Sequence, residues 1–326
     1  MLAFTTGFTG GVFRVIAAPG LTPVNIRISV SLDNFRITDA NDGSSEDVPA
    51  ASVGAISLVG ASGNDRLRID GSIVRNATIS GGLGNDTFVG GSGRDVIIGG
   101  GGIDTVDYSV YAAKLNLSID GVANDGPGGT VDVDNIGTDV ENVMGGANND
   151  LITGSSSANV LQGLGGRDTL RGGAGNDTLS GGNKNDLLFA DDGQDFLVGA
   201  AGVDALSYEG RTDAVSVTMD GVANDGASGE KDNVAGTIER FILGDGDDFF
   251  IGTGRTQIVN GGAGADTIRG GGGGDSLTGG AGRDSILGEG GDDVIFAFDT
   301  EIDTINGGSG TDVAERDADD VVSAVP

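Results

Sequence analysis

Large apolar residues return along this chain at a spacing of nine: Phe88, Ile97 and Val106, then Leu170, Leu179 and Leu188, then Ile268, Leu277 and Ile286. Nine is not a helical period, and no window carries the apolar stripe of an amphipathic helix. Each apolar residue instead sits alone between short-range neighbours, which predicts a three-residue strand whose middle side chain turns inward. Alternating stretches at 24–30, 114–119 and 214–219 predict half-buried strands outside this pattern.

In register, the nine positions read G-G-x-G-x-D-x-U-x, with U a large apolar residue. Clean copies begin at Gly81, Gly90, Gly99, Gly145, Gly163, Gly172, Gly181, Gly199, Gly261, Gly270, Gly279, Gly288 and Gly307. Looser copies begin at Gly60, Gly154, Ala190, Leu243, Gly252 and Phe298. The stretch AFDTEIDTIN, 297–306, runs one residue long and predicts a bulge near Ala297. Glycine permits the positive φ and close approach of a tight half-turn. Two units then make one coil, and unit n lies over unit n+2 at the ~4.8 Å strand spacing. Asp86 stacks on Asp104, Asp168 on Asp186, and Asp266 on Asp284.

The expected fold is all-β: a parallel β-roll, a solenoid in three stacks separated by short antiparallel β inserts. The arrays fall at 60–107, 145–207 and 243–315. The inserts, 108–144 and 208–242, echo each other in SIDGVANDG (118–126) and TMDGVANDG (218–226). Residues 1–59 read as a β region and a worn third copy, because ISVSLDN and DANDG (39–43) repeat the theme; 316–326 is a tail or cap. The Asn-Asp-Gly of the inserts suits a hairpin turn, with a separate cation loop as the alternative. An EF-hand fails, because its ligand spacing and closing Glu are missing.

Composition narrows the chemistry. With 64 Gly and 5 % aromatic residues the chain has no conventional core, while 37 % hydrophobic content excludes simple disorder. A flexible Gly-Asp linker would not hold U in register. Forty-nine acidic residues against 18 basic give a net charge of -31, which repels nucleic acid and anionic membrane. Stacked carboxylates at ~5 Å repel by roughly 1–3 kcal/mol per pair at effective dielectrics of about 80 to 20, so a cation between coils is expected. The absence of His, Cys and Trp removes thiolate and imidazole ligands, disulfides and Cys- or His-based catalysis. Hard oxygens remain, and Ca²⁺ takes about 6–8 of them with tolerant geometry, whereas Mg²⁺ demands a tighter octahedron.

Arg66, Arg94, Arg167 and Arg283, beside repeat aspartates, read as a solvated face that moderates the acidity. Strings fitting G-x-G-x-x-G lack a βαβ context and predict no nucleotide site. No run approaches the roughly 18 apolar residues of a membrane span. The opening MLAFTTGFTGG carries neither a basic n-region nor a continuous apolar h-region, so a signal peptide is expected to have been removed or export to use another route.

The arrays resemble the RTX, or hemolysin-type, calcium-binding β-roll. That resemblance implies Ca²⁺ held between coils by the repeat aspartates and the carbonyls of the Gly turns. It carries over to Asp86, Asp95, Asp104, Asp150, Asp168, Asp177, Asp186, Asp195, Asp204, Asp266, Asp275, Asp284, Asp293 and Asp312. Asp65, Asp248 and Asp303 follow with broken Gly contexts. Asn159 and Gln257 stand at the Asp position of their units, as does Ala77, and predict a lost or weakened ion on one edge. Same-edge aspartate pairs suggest about ten ions.

The leading expectation is a secreted, extracellular structural protein of the cell surface or matrix. It would fold on external calcium and associate with itself or with a surface or matrix partner. An adhesive or binding module, or the calcium-dependent secretion and stability segment of an RTX exoprotein, is the alternative. No enzyme is expected, since there is no G-x-S-x-G elbow and no His, and the repeats make up most of the chain. Ice binding is disfavoured, because the third turn position carries Leu83, Ser92, Gly101, Ala174, Ala263 and Ala281 rather than a row of Thr.

Overall fold

The computed structural model describes residues 4–18, 23–31, 34–41, 44–127 and 132–325. The turn at 39–43 that echoes the inserts lies partly outside the described residues. Apart from one 3₁₀ turn, Ala50–Ser52, the described elements are all strands, and they form a parallel β-solenoid in two compact units, Met1–Leu164 and Gly165–Pro326.

In the first unit the chain alternates between two parallel columns. One holds Val12–Ala17, Ala55–Val59, Ala77–Leu83, Asp95–Gly101 and Asn135–Ile136. The other holds Asn25–Ser31, Arg66–Ile69, Thr87–Val89, Thr105–Asp107, Asn142–Met144 and Val160–Gly165. Phe88 pairs with Val106 and Ile79 with Ile97, so two nine-residue units close one coil. The U side chains Leu67, Phe88, Val106, Val143 and Leu161 are fully buried, as are Leu58, Ile79, Ile97 and Ile136 in the other column. Antiparallel strands cover the start of both columns: Phe4–Thr9 lies on Val12–Ala17, and Asn34–Asp39 followed by Ser45–Pro49 lies on Asn25–Ser31.

The first insert redirects the roll. After Tyr108 the chain lays down Asn116–Ser118, which pairs in parallel with Leu151–Thr153 and starts a new column. It crosses back through antiparallel bridges, Asn116 to Gly126 and Asp125 to Asp134. It then adds Asn135–Ile136 as the last strand of one column and Asn142–Met144 to the column that continues.

The second unit repeats this move. A continuous column runs Thr169–Arg171, Leu187–Phe189, Ala205–Ser207, Arg240–Gly244, Ile258–Ala263, Ser276–Ala281, Val294–Ala297 and Val313–Arg316. Thr178–Asn183 and Phe196–Ala201 form a column that ends at Asn233–Val234. Another begins in the second insert with Val215–Thr218 and continues through Phe249–Ile251, Thr267–Gly272, Ser285–Gly290, Thr304–Asn306 and Val321–Ser323.

The long unit at 297–306 is accommodated differently from the expected bulge. Val294–Ala297 keeps the ordinary register against Ser276, and the extra residue falls in the turn before Thr304. There Asp299 accepts the Glu301 and Gly282 amides at 2.7 and 2.9 Å. A turn can lengthen without rotating Ile305 out of the core, whereas one extra strand residue would reverse every side chain after it.

Candidate metal sites

The turn geometry brings each repeat aspartate inward at a corner of its coil. All seventeen aspartates predicted from the sequence are buried, none more than 4 % exposed. Their first carboxylate oxygen has a regular use: the backbone N–H of the corresponding residue one coil earlier donates to it. Asp86 donates to Asp104, Asp186 to Asp204, Asp248 to Asp266 and Asp284 to Asp303, each at 2.8 Å, and Asp266 donates to Asp284 at 2.9 Å. Vertical aspartate columns result, in the order the nine-residue period dictates.

The second oxygen divides the aspartates into two groups. In Asp65, Asp95, Asp150 and Asp248 it accepts an amide from the residue's own turn, from Ala61, Gly91, Gly146 and Gly244 at 2.7–2.9 Å. These four stack on Val24, Ala77, Leu115 and Val215, whose N–H groups meet the first oxygen. In Asp86, Asp104, Asp186, Asp195, Asp204, Asp266, Asp275, Asp284, Asp293, Asp303 and Asp312 the second oxygen is buried without a hydrogen-bond partner. The aspartates that stack on another acidic or amide side chain of the column are thus the open ones.

A buried carboxylate oxygen without a donor is costly, and a row of them calls for a counter-charge. The surroundings supply further oxygens. A Cβ placed on Gly81 would overlap the open oxygen of Asp86 and approach the carbonyl of Gly99, one coil on. Gly261 stands in the same relation to Asp266 and the Gly279 carbonyl, and Gly288 to Asp293 and the Gly307 carbonyl. The first glycine of the unit therefore preserves a space on which carboxylate and carbonyl oxygens converge. Among the described residues no three His, Cys, Asp or Glu side chains gather as a metal cluster, so an ion held here would take one or two carboxylates plus carbonyls. That hard, flexible oxygen set fits Ca²⁺.

Electrostatics agree. Burial, joined by the charge of stacked neighbours, pushes Asp186, Asp195 and Asp266 up to about 7, and Asp86, Asp275 and Asp303 up to about 6. At three repeat positions an uncharged residue replaces the aspartate. Asn159 accepts the Ser155 amide at 2.7 Å and donates to the Glu141 carbonyl at 2.9 Å. Gln257 accepts from the Thr253 amide and donates to its hydroxyl. Ala77 lies in register with Asp95.

The columns contain acidic residues that the glycine pattern does not reveal. Asp134 and Asp232, in the inserts, accept the Asp95 and Asp195 amides at 2.9 Å. Asp320 accepts that of Asp303 at 3.0 Å, and Glu141 and Glu239 accept those of Asp104 and Asp204 at 2.7 and 3.0 Å. Their sequence signal is the second half of the unit alone: Asp134-Asn135-Ile136, Asp232-Asn233-Val234 and Asp320-Val321-Val322, without preceding glycines. A second ladder runs outside the first. Asn64, Asn76, Asn85, Asn176 and Asn185 each cap a backbone N–H of the next coil, as do Asp247 and Asp292. Of the four arginines noted in the sequence, the half-exposed Arg66 reaches the buried Asp107 at 3.2 Å.

The profile of the RTX calcium-binding nonapeptide repeat matches residues 75–106, 137–170, 144–179, 171–206, 242–277, 251–286, 269–297 and 300–320, together more than half of the chain. The chain belongs to the RTX calcium-binding repeat family. It is therefore a calcium-binding repeat protein, of a fold that is typically structural or binding rather than catalytic. Of the seventeen RTX aspartates, only Asp65 lies outside the matched stretches, while Glu141 and Asp320 lie inside them. No curated protein matches the chain. Among the described residues no helix is long and apolar enough to cross a membrane.

Proposed function

We propose that this RTX chain is an exported structural protein whose rolls fold as they meet extracellular calcium. The observation that carries the reading is the set of buried, open carboxylate oxygens stacked coil over coil. Bound Ca²⁺ would supply the positive charge and coordination that these oxygens lack. The open aspartates, such as Asp86, Asp186 and Asp284, act as carboxylate ligands, and the Gly99, Gly279 and Gly307 carbonyls complete the cradle. Asp65, Asp95, Asp150 and Asp248, closed by their own turns, bound the columns and contribute less. Same-edge pairs give about ten ions, with affinities of about 10⁻⁴ to 10⁻³ M expected of extracellular modules. Below that range the chain stays unfolded, a state suited to export. Calcium titration followed by far-ultraviolet circular dichroism, with bound calcium counted by equilibrium dialysis, tests this. Fewer than about five ions, or a β signal indifferent to calcium, would refute it.

Self-association is favoured by a separate observation. Among the described residues Phe4–Thr9, FTTGFT, has a strand partner on one side only, its Thr6 hydroxyl donates to the Glu46 carboxylate at 2.9 Å, Phe8 is half exposed, and the strand carries no charge or proline of its own. Natural edges are usually blunted by such residues, as Ser45–Pro49 is by Glu46, Asp47 and Pro49. On a chain of net charge -31, an uncharged edge is where a second copy meets least repulsion. Light scattering and negative-stain microscopy at millimolar calcium should show assemblies that Phe8→Lys or removal of residues 1–23 abolishes. A wild-type chain monomeric at all concentrations would rule out assembly and leave calcium binding untouched.

A further inference from the structure

In array aspartates such as Asp104, Asp186, Asp204, Asp266 and Asp284, stacking on another aspartate leaves the second oxygen open. The inserts depart from this rule. Asp134 stacks on Asp95, and Asp232 on Asp195, with the same 2.9 Å amide bond to the first oxygen. Both are buried, at 0 % exposure. Their second oxygens are nevertheless satisfied: the Tyr108 hydroxyl donates to Asp134 at 2.8 Å, and the Tyr208 hydroxyl to Asp232 at 3.2 Å. Both tyrosines are 1 % exposed, which keeps water from competing.

We infer that Tyr108 and Tyr208 stand where the arrays need a cation, so that each insert ends an aspartate column without binding calcium there. The two inserts reach this arrangement separately, 100 positions apart in the chain. A second carboxylate in each insert, Asp125 and Asp225, is likewise closed by protein, whereas Asp132 of the first insert keeps one buried oxygen without a hydrogen-bond partner. Asp125 accepts the Ser118 and Ile136 amides at 2.6 and 2.9 Å, and Asp225 accepts those of Thr218 and Val234 at 2.6 and 3.0 Å. The columns that end at Asn135–Ile136 and Asn233–Val234 are the columns these tyrosines close. An unclosed terminal carboxylate would have no further coil to share an ion with. Tyr208 thus fixes where the column running through the open Asp195 stops, Tyr108 closes a column whose Asp95 is already closed by its own turn, and in both inserts the carboxylate is satisfied by hydrogen bonds rather than by metal.

This inference rests on the calcium reading of the columns, and one assay separates the two. Bound calcium is counted on the full chain for Asp134→Asn, Asp232→Asn and, as the array control, Asp186→Asn. Asparagine keeps the first oxygen as acceptor and can donate to the tyrosine oxygen, so the insert variants should fold. The expected result is an unchanged count in Asp134→Asn and Asp232→Asn and the loss of one or more ions in Asp186→Asn. A loss in the insert variants equal to that of the control overturns the inference. A control that loses nothing overturns the calcium reading itself, and the inference with it. A second measurement guards against a purely structural effect. Tyr108→Phe opens the Asp134 carboxylate and should lower the folding equilibrium constant about tenfold. Adding Asp134→Asn should recover part of that loss; a double variant no better than Tyr108→Phe alone would show that the hydroxyl does not serve the carboxylate.

Discussion

Asp186 and Asp232 are both buried carboxylates, and both receive a backbone N–H from an aspartate one coil earlier, Asp168 and Asp195, at 2.8 and 2.9 Å. Only Asp232 has a donor for its other oxygen, the Tyr208 hydroxyl. The backbone frame is therefore common to array and insert, and what differs is the partner of the second oxygen. In the insert it is covalently part of the chain; in the array it must come from solution. On the proposed function, the dependence of the fold on calcium would be concentrated in the repeats, where carboxylate oxygens are buried without a partner.

The largest expected effect breaks the comparison on the array side. Removing calcium with a chelator should abolish the cooperative melt and most of the β signal in far-ultraviolet circular dichroism; spectra and melting unchanged by chelator would mean the open oxygens need no ion. Acid provides the next test. Asp186, Asp195 and Asp266, pushed up to about 7 by burial, have folded values above the unfolded value near 3.9. Their protonation therefore favours folding: the contribution is complete below about pH 4 and is lost as pH rises through about 6 to 7. In chelator, acidification from about pH 8 to 4 should restore β structure, whereas in limiting calcium the same change should displace ions. Dichroism against pH that is flat in chelator would deny the open aspartates their role.

Single substitutions sharpen the contrast. Leu179→Ala, in a fully buried position paired with Leu197, should cost about 2–5 kcal/mol, at the lower end in so thin a core. Asp284→Ala should weaken calcium binding and local stability, while Asn183→Ala, at a variable turn position, should do little; equal tolerance in calcium-dependent melting would break the residue assignment. The smallest effect concerns the turns. Ala200 and Glu289 occupy the second-glycine position at φ of 79° and 71°. Ala200→Gly should stabilise the roll by about 0.5–1 kcal/mol, read as a rise in melting temperature.

The aspartates of the arrays were legible because period and chemistry coincide. A residue kept six positions into a nine-residue unit, beside glycines, has to face its counterpart one coil on, as Asp86 faces Asp104. Asp134, Asp232 and Asp320 were not legible, since they keep only the Asp-x-U half of the unit. Their coil partners lie 39, 37 and 17 residues away rather than 18. No local pattern announces a neighbour whose distance is set by an excursion. Of the four closed aspartates, Asp65 and Asp248 stand in broken Gly contexts and Asp95 stacks on the Ala77 that the sequence marks, whereas the motif alone does not separate Asp95 from Asp104, which differ in what lies beneath them, Ala77 or Asp86.

By itself, the sequence determined the period, the inward residue of each short strand, the stacking of units two apart and the oxygen chemistry of the turns. These are local properties, set by which side a strand residue faces and by what glycine permits, and repetition makes them cumulative. Tertiary structure alone decided that each insert ends one column and begins another, with Asn116–Ser118 and Val215–Thr218 as new first strands. It alone brought the Tyr108 and Tyr208 hydroxyls to Asp134 and Asp232, 26 and 24 residues on. Both outcomes depend on where a non-repeating segment returns to the roll, and that point is fixed by the strand edges and buried polar groups it finds there rather than by any order within the segment.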